Sequence, residues 1–137
     1  MAIILDSSIL VEYERRRFNL ERLLDDRSPP AIAAISAAEL LIGVERADTP
    51  ERRARRSEFV ENILERIPIV DFELTQARLY AARFADLAGR GIVIGDRDLQ
   101  IAVTALSLDY ELATLNVREF ERVTGLRIAD VSGYRTS

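Results

Sequence analysis

The chain of 137 residues contains no histidine, no cysteine and no lysine, so that all 19 of its basic residues are arginines. These absences exclude the histidine general bases, thiolate nucleophiles and Schiff-base lysines on which many enzymes depend. They also exclude disulfide bonds and thiolate metal sites, and a cysteine-free chain fits the reducing cytoplasm. If the chain is an enzyme, carboxylates that hold a hard metal ion are the best remaining chemistry.

Long hydrophobic runs are missing too. No apolar stretch approaches the ~20 residues needed to cross a bilayer, and the first residues read as a strand without a basic region ahead of it. We therefore expect a cytoplasmic protein with no membrane partner. The net charge of −4 gives no general sign of nucleic-acid binding. Arginines nevertheless cluster in residues 15–17 and 52–56, which leaves open a local basic strip or an ordinary solvated helix face.

Short apolar segments alternate with helical patterns along the chain. The sequence predicts strands at residues 2–5, 31–35, 68–72, 112–115 and 127–131, with helices between them. Such alternation is typical of a parallel sheet that is covered by helices on both faces. We expect a single α/β domain, with a short central parallel sheet of about five strands.

Four acidic residues lie beside or inside apolar segments, where an ionised carboxylate is costly. They are Asp6, Glu39, Asp96 and Asp98. Burial of one such group without a partner raises its pKa or destabilises the fold. In a parallel sheet the functional crevice forms at the carboxyl ends of the strands. The predicted topology therefore brings these acids together, and a shared cation is the simplest explanation for them.

Each acid also has a purely structural interpretation. Asp6 is a potential helix cap, and Ser36 and Glu39 have the spacing of a capping box. Asp96 is a good N-cap for the helix that follows it, and Asp98 suits the first turn because of the helix dipole. No single residue decides between the two interpretations; their joint placement favours a metal site.

Four motifs together resemble those of PIN-domain ribonucleases, and more narrowly those of the VapC toxins of prokaryotic VapBC toxin–antitoxin modules. They are residues 4–8, 36–44, 94–102 and 112–120, in this order. The resemblance covers nearly all of residues 1–137. It implies one three-layer α/β/α PIN-like domain that acts as an endoribonuclease with Mg²⁺ or Mn²⁺. It also implies RNA as the substrate, a VapB-like antitoxin as the partner, and a homodimer.

The resemblance further implies roles for individual residues. The catalytic positions are Asp6, Glu39, Asp98 and Asn116. Among the acids, Asp6 and Asp98 correspond to metal ligands, and the further metal candidates are Glu39, Asp96 and Glu119. Supporting hydrogen bonds would come from Ser8 and Thr114, and RNA contacts from Arg97 and Arg118. Asn116 stands where the family often has aspartate, with Glu119 as an acid three residues later.

Two other functions remain open at this point. An Asp-based phosphotransfer domain also places an aspartate at a strand end, but such domains rely on a lysine that this chain lacks. A phosphatase of that kind also needs an acid where Ser8 stands. The other alternative is a catalytically weak PIN scaffold that is retained for binding RNA or a partner, against which the full set of acids argues.

Overall fold

The computed structural model describes residues 1–136, and its centre is a parallel sheet of four short strands. The strands are β1 (Ile3–Leu5), β2 (Pro30–Ala33), β3 (Ile69–Val70) and β4 (Glu111–Ala113). Their order across the sheet is β3-β2-β1-β4, and every pairing is parallel. The chain thus builds outward on one side of β1 and then returns to its other side. In sheets of this kind the crevice at such a switch point is the usual ligand site.

Seven α-helices connect and cover the strands within residues 1–136. They are α1 (Ser7–Glu14), α2 (Leu20–Asp26), α3 (Ala34–Glu45), α4 (Pro50–Arg66), α5 (Leu74–Gly89), α6 (Asp96–Leu108) and α7 (Val117–Phe120). A short 3₁₀ turn follows at Ser132–Tyr134. None of the helices in this part of the chain is long and apolar enough to cross a membrane.

The sheet separates two apolar layers because alternate residues of a strand point to opposite faces. Ile3 and Leu5 of β1 belong to the layer built with α1, α2, α3 and α4. Ile4 belongs to the other layer, which contains Ala102 of α6 and Phe120 of α7. All three strand residues are fully buried. The predicted α/β fold with helices on both faces is therefore confirmed.

The fifth predicted strand, residues 127–131, is wrong. Ile128 forms a single parallel bridge to Leu112 of β4, with hydrogen bonds on either side of it. The ladder goes no further because Asp130 turns the chain: its Oδ1 accepts hydrogen bonds from both the amide and the hydroxyl of Ser132. A local Asx turn competes with strand pairing here.

Two predicted helix caps, Ser36 and Asp96, are also wrong. Helix α3 begins at Ala34, so Ser36 is a buried residue inside its first turn and not its cap. Helix α6 begins at Asp96 itself, with Gly95 as the N-cap. In both cases an extended residue takes the cap position: Ala33, the last residue of β2, for α3, and Gly95, directly after Ile94, for α6. The helices therefore start earlier than their polar residues suggest.

Candidate active site

A cleft of roughly 450 Å³ opens at the carboxyl ends of β1 and β4. Asp6 follows β1 directly, and Asn116 lies beyond the end of β4. Glu39 of α3 and Asp98 in the first turn of α6 line the same cleft. The structure therefore brings together the four residues that the sequence resemblance marks as catalytic.

Asp6 is buried, with 6% of its surface exposed, and its carboxylate is held by two hydroxyl groups. Ser8 Oγ donates to Asp6 Oδ2 at 2.8 Å, and Thr114 Oγ1 donates to the same oxygen at 2.7 Å. Each hydroxyl also accepts a backbone N–H: Ser8 from Leu115 and Thr114 from Asn116. The other oxygen, Oδ1, accepts no hydrogen bond within residues 1–136, so it is the oxygen available to a ligand in the cleft.

Glu39 is half-buried and only loosely held. Ser7 Oγ donates to its Oε1 at 3.4 Å, and Arg97 approaches its Oε2 at 3.5 Å. Burial raises the pKa of Glu39, the negative charge of Asp6 raises it further, and Arg97 opposes both effects. The carboxylate faces α1 and α6, and it makes no bond to the Ser36 amide. The capping-box interpretation of Glu39 is therefore wrong.

Asp98 is the second acid of the cleft whose pKa is raised. Burial raises its pKa, the charges of Asp6 and Glu119 raise it further, and the nearby Arg122 partly compensates. Its carboxylate takes part in none of the hydrogen bonds or ion pairs described for residues 1–136. A half-buried acid without a partner among like charges is the situation that a bound cation relieves.

Asp96 points elsewhere, although it lies two residues from Asp98. The Tyr80 hydroxyl of α5 donates to Asp96 Oδ1 at 2.5 Å, and Gln100 Nε2 donates to Oδ2 at 3.1 Å. The bond to the carboxylate raises the pKa of Tyr80 to about 12. Asp96 does not line the cleft with Asp98. Its contacts join α5 to α6, which favours the structural interpretation over a metal role.

The short helix α7 places a second ion pair beside the cleft. Arg122 Nη2 lies 2.5 Å from Glu119 Oε2, and this arginine partly offsets the raised pKa of Asp98. Arg122 is not among the residues predicted from the sequence; its signal there is the spacing of three residues from Glu119 on a helical turn. Arg118, by contrast, is exposed and has no hydrogen-bond or ion-pair partner within residues 1–136.

The donors around the cleft are all oxygen atoms, which suits a hard divalent cation. No three acidic side chains in residues 1–136 converge closely enough to enclose an ion by themselves. Mg²⁺ does not require such an enclosure, because it keeps several water ligands and binds through one or two carboxylates. The arrangement therefore fits Mg²⁺ or Mn²⁺ with a partly hydrated shell.

Comparisons with known proteins agree with this site. Residues 3–126 match the model of the PIN domain family. Ribonuclease VapC1 of Rickettsia felis is 34% identical over 132 residues, which cover 96% of this chain and 98% of that protein. The tRNA(fMet)-specific endonuclease VapC of Salmonella typhimurium is 37% identical over 120 residues, which cover 87% of this chain and 84% of that protein.

A solved structure has the same fold. The chain superposes on one from VapBC2 of Rickettsia felis, bound to a DNA fragment from their promoter, with a TM-score of 0.84 and 28% sequence identity. The match covers 94% of this chain and 98% of the other. From the family match, the near full-length relatives and the shared fold, it follows that this chain belongs to the VapC group of the PIN-domain family.

Proposed function

We propose that this chain is a Mg²⁺- or Mn²⁺-dependent endoribonuclease that acts as the toxin of a type II toxin–antitoxin system. The observation that carries the proposal is the cleft in which Asp6, Glu39 and Asp98 meet at the carboxyl edge of the sheet. The relatives named as VapC ribonucleases support it. Two relatives are named as endonucleases specific for tRNA(fMet), which makes that RNA the first substrate to test.

Asp6 and Asp98 are the proposed metal ligands, and Glu39 is the third candidate. Ser8 and Thr114 fix one oxygen of Asp6 and leave the other free, so the ligand is oriented before the ion arrives. When bound, the divalent ion supplies positive charge to the phosphodiester and lowers the pKa of the attacking water. Asn116 adds a neutral amide to the cleft and Arg97 a nearby cation for an RNA phosphate.

Glu119 is a less suitable ligand than its position in the sequence suggests. Its carboxylate is already neutralised by Arg122 at 2.5 Å, and the neighbouring cleft residue Asn116 is uncharged. This side of the cleft therefore carries less negative charge than the side formed by Asp6, Glu39 and Asp98. We propose that one ion binds tightly between Asp6 and Asp98, and that any second ion binds more weakly.

The first prediction concerns the two proposed ligands. Asp6→Asn and Asp98→Asn should each reduce RNA cleavage below about 1% of wild type, a larger loss than an outer-shell partner usually causes. The fold should persist because asparagine preserves the shape of the side chain. In chelator, Asp98→Asn should raise the melting temperature by a few degrees, because it removes one of several repelling charges.

The matched control is Asp96→Asn, the same change two residues away on the same helix. We expect cleavage within a few-fold of wild type, because Asp96 bonds to Tyr80 and Gln100 outside the cleft. Gel-based cleavage of tRNA(fMet) and of total RNA, with Mg²⁺ and with chelator, measures all three variants. Unchanged cleavage by both ligand variants, or full activity of wild type in excess chelator, contradicts the metal-nuclease proposal.

The second prediction tests Glu39 separately. Glu39→Gln keeps hydrogen-bonding capacity but removes the charge, and the structure shows no capping box for either residue to complete. We expect a melting temperature equal to or above that of wild type in chelator, and cleavage reduced at least about tenfold. A stable variant with full activity would assign Glu39 to a structural role and leave Asp6 and Asp98 as the only carboxylate ligands.

The partner proposed for this chain is a VapB-like antitoxin, as in the VapBC structures that it resembles. A second cleft, of roughly 320 Å³, adjoins the active site and shares Ser7 and Glu39 with it. Its walls carry apolar side chains of α1, α3 and α4, among them Leu10, Leu40 and Phe59. We call it the apolar cleft. An amphipathic antitoxin segment could place its apolar face there and direct a basic side chain at Glu39 and Asp6.

Leu20 and Leu24, two further apolar residues of the early helices, line a separate and smaller cavity beside Tyr13 and Ile63. They therefore do not form one groove with Leu10, which favours the apolar cleft as the antitoxin site.

The third prediction is that expression of the chain alone stops growth, and that co-expression of the short protein encoded beside it restores growth. Phe59→Glu should weaken antitoxin binding at least about tenfold, since it buries a charge in the apolar cleft. Exposed Leu41, which does not line the cleft, provides the control Leu41→Glu. A neighbour that neither binds the chain nor restores growth contradicts the toxin assignment without affecting the nuclease assignment.

We further propose that the chain forms a homodimer through the exposed side of α5. Phe72, Leu74, Phe84 and Val93 lie at or beside this helix, and each exposes between 41% and 87% of its surface. Phe72 and Phe84 flank Tyr80, with ring centroids 6.2 and 6.4 Å from its ring. Such a cluster of exposed apolar side chains is unusual on a monomer and suits a self-complementary interface.

The fourth prediction follows from this surface. Wild type should sediment with the mass of two chains, and Phe84→Glu should sediment as one chain with an unchanged circular dichroism spectrum. Leu41→Glu, which places the same charge on α3, should leave the dimer intact. The dimer proposal is contradicted if wild type sediments as a monomer at roughly 0.1 mM, a concentration at which even a weak association is populated.

A further inference from the structure

Four of the five arginines of residues 46–56 line a groove that neither the proposed catalytic site nor the core explains. The groove has a volume of roughly 540 Å³, and it lies where α3 ends and α4 begins. Its basic lining residues are Arg46, Arg52, Arg55 and Arg56, and its acidic ones are Glu14 and Asp48. We call it the arginine groove. It carries a net positive charge on a protein whose net charge is −4.

Two of the four arginines have no partner in the part of the chain that the structure describes. Arg52 is bound by Asp48, with both contacts at 2.8 Å, and Arg56 lies 3.5 Å from Glu14. Arg46 and Arg55 make no side-chain hydrogen bond or ion pair within residues 1–136, and both are exposed. Their guanidinium groups are therefore free to bind an anion from solution.

The clustering is unfavourable for the helix itself. Arg52 is three residues from Arg55 and four from Arg56, so like charges are neighbours on one face of α4. Glu51 is the acidic residue of the first turn of α4. The arginines follow in the N-terminal turns, where the helix dipole disfavours cations. Asp48 and Glu14 compensate Arg52 and Arg56, whereas the charges of Arg46 and Arg55 are left for an anionic ligand in the groove.

The arginine groove is continuous with the active site. It shares Glu14, Arg46 and Arg56 with the apolar cleft, and the apolar cleft shares Ser7 and Glu39 with the active-site cleft. The path therefore runs from an acidic end, at Asp6 and Asp98, to a basic end. If one phosphate of a polyanion bound at a metal ion in the active-site cleft, the next phosphates along the polyanion would extend toward the arginines.

We propose that the arginine groove binds the phosphate backbone of the RNA substrate on one side of the cleavage site. Guanidinium groups suit this role because they bind phosphate oxygens through two parallel hydrogen bonds. The proposal depends on the ribonuclease function proposed above and adds to it a second RNA contact region, remote from the metal. RNA and antitoxin would then compete for the path between the two ends.

The test compares Arg46→Gln/Arg55→Gln with a charge-matched double variant, Arg66→Gln/Arg135→Gln, whose exposed arginines line neither the groove nor the active-site cleft. The probe is fluorescently labelled single-stranded RNA of mixed sequence, about 20 nucleotides long, and binding is followed by anisotropy in chelator so that no cleavage occurs. A second, short probe has about 3 nucleotides, fewer than a typical single-strand site of about 4–16, so it has too few phosphates to occupy the active site and the groove together.

We expect the groove variant to bind the long RNA at least about fivefold more weakly at low salt, and the control variant to bind within twofold of wild type. The slope of log K against log salt concentration should fall by about 1.4 in the groove variant, since each phosphate contact to a single strand contributes about 0.7. In Mg²⁺, cleavage of the long RNA below saturation should fall by a similar factor, and cleavage of the short RNA should not change.

Equal RNA affinity and equal salt slope in the two double variants would overturn the proposal. So would a groove variant that loses the antitoxin while it binds RNA normally, because the groove would then be a protein-binding surface. These results differ from a failure of the ribonuclease function, in which wild type itself cuts neither these RNAs nor tRNA(fMet) in Mg²⁺. Equal melting temperatures of the variants exclude a loss of fold as the cause.

Discussion

The buried carboxylate of Asp6 is the interaction on which the arrangement of this protein depends. Two hydroxyl groups, from Ser8 in α1 and Thr114 after β4, bind the same oxygen of Asp6. These bonds join β1 to β4 and to α1, at the edge of the sheet where the strand order reverses. They also leave the second carboxylate oxygen directed at the cleft. One residue thus closes the fold at this edge and begins the active site.

The charge of Asp6 adds to the effect of burial on two other acids of the cleft. Burial and repulsion raise the pKa values of Glu39 and Asp98, and Arg97 and Arg122 compensate this only in part. Like charges therefore lie close together in the cleft, and the proposed divalent cation, or a basic side chain of the proposed antitoxin, would relieve their repulsion. In this account activity and inhibition use the same excess of negative charge.

Much of this arrangement could be predicted from the sequence, because apolar periodicity and strand ends fix the sheet and the edge at which the acids meet. Asn19 caps α2, and Thr49, followed by Pro50, caps α4, as these residue types predict at helix starts. The errors arose where two local signals competed. Ser36 resembled a cap, but Ala33 already ends the strand and caps the helix. The Asx turn at Asp130 stopped a fifth strand that its apolar neighbours favoured.

The direction in which individual side chains point could not be predicted from the sequence. Asp96 and Asp98 are the same residue type and lie two residues apart, and only the packing of α5 against α6, with Tyr80 opposite Asp96, separates their roles. The arginines of α4 were visible as a cluster, but their shared groove with Arg46 depends on how α3 meets α4. Pairwise geometry between distant segments decides both cases, and a single sequence carries no direct record of it.

The central claim is that Asp6 and Asp98 share a divalent cation. Anomalous diffraction from crystals soaked in Mn²⁺ tests it most directly, because manganese scatters anomalously and the protein contains a single methionine and no cysteine. We expect one strong peak in the cleft, within direct-coordination distance of a carboxylate oxygen of Asp6 and of one of Asp98, with water as further ligands. No peak in the cleft, or a peak bound by neither residue, would contradict the account.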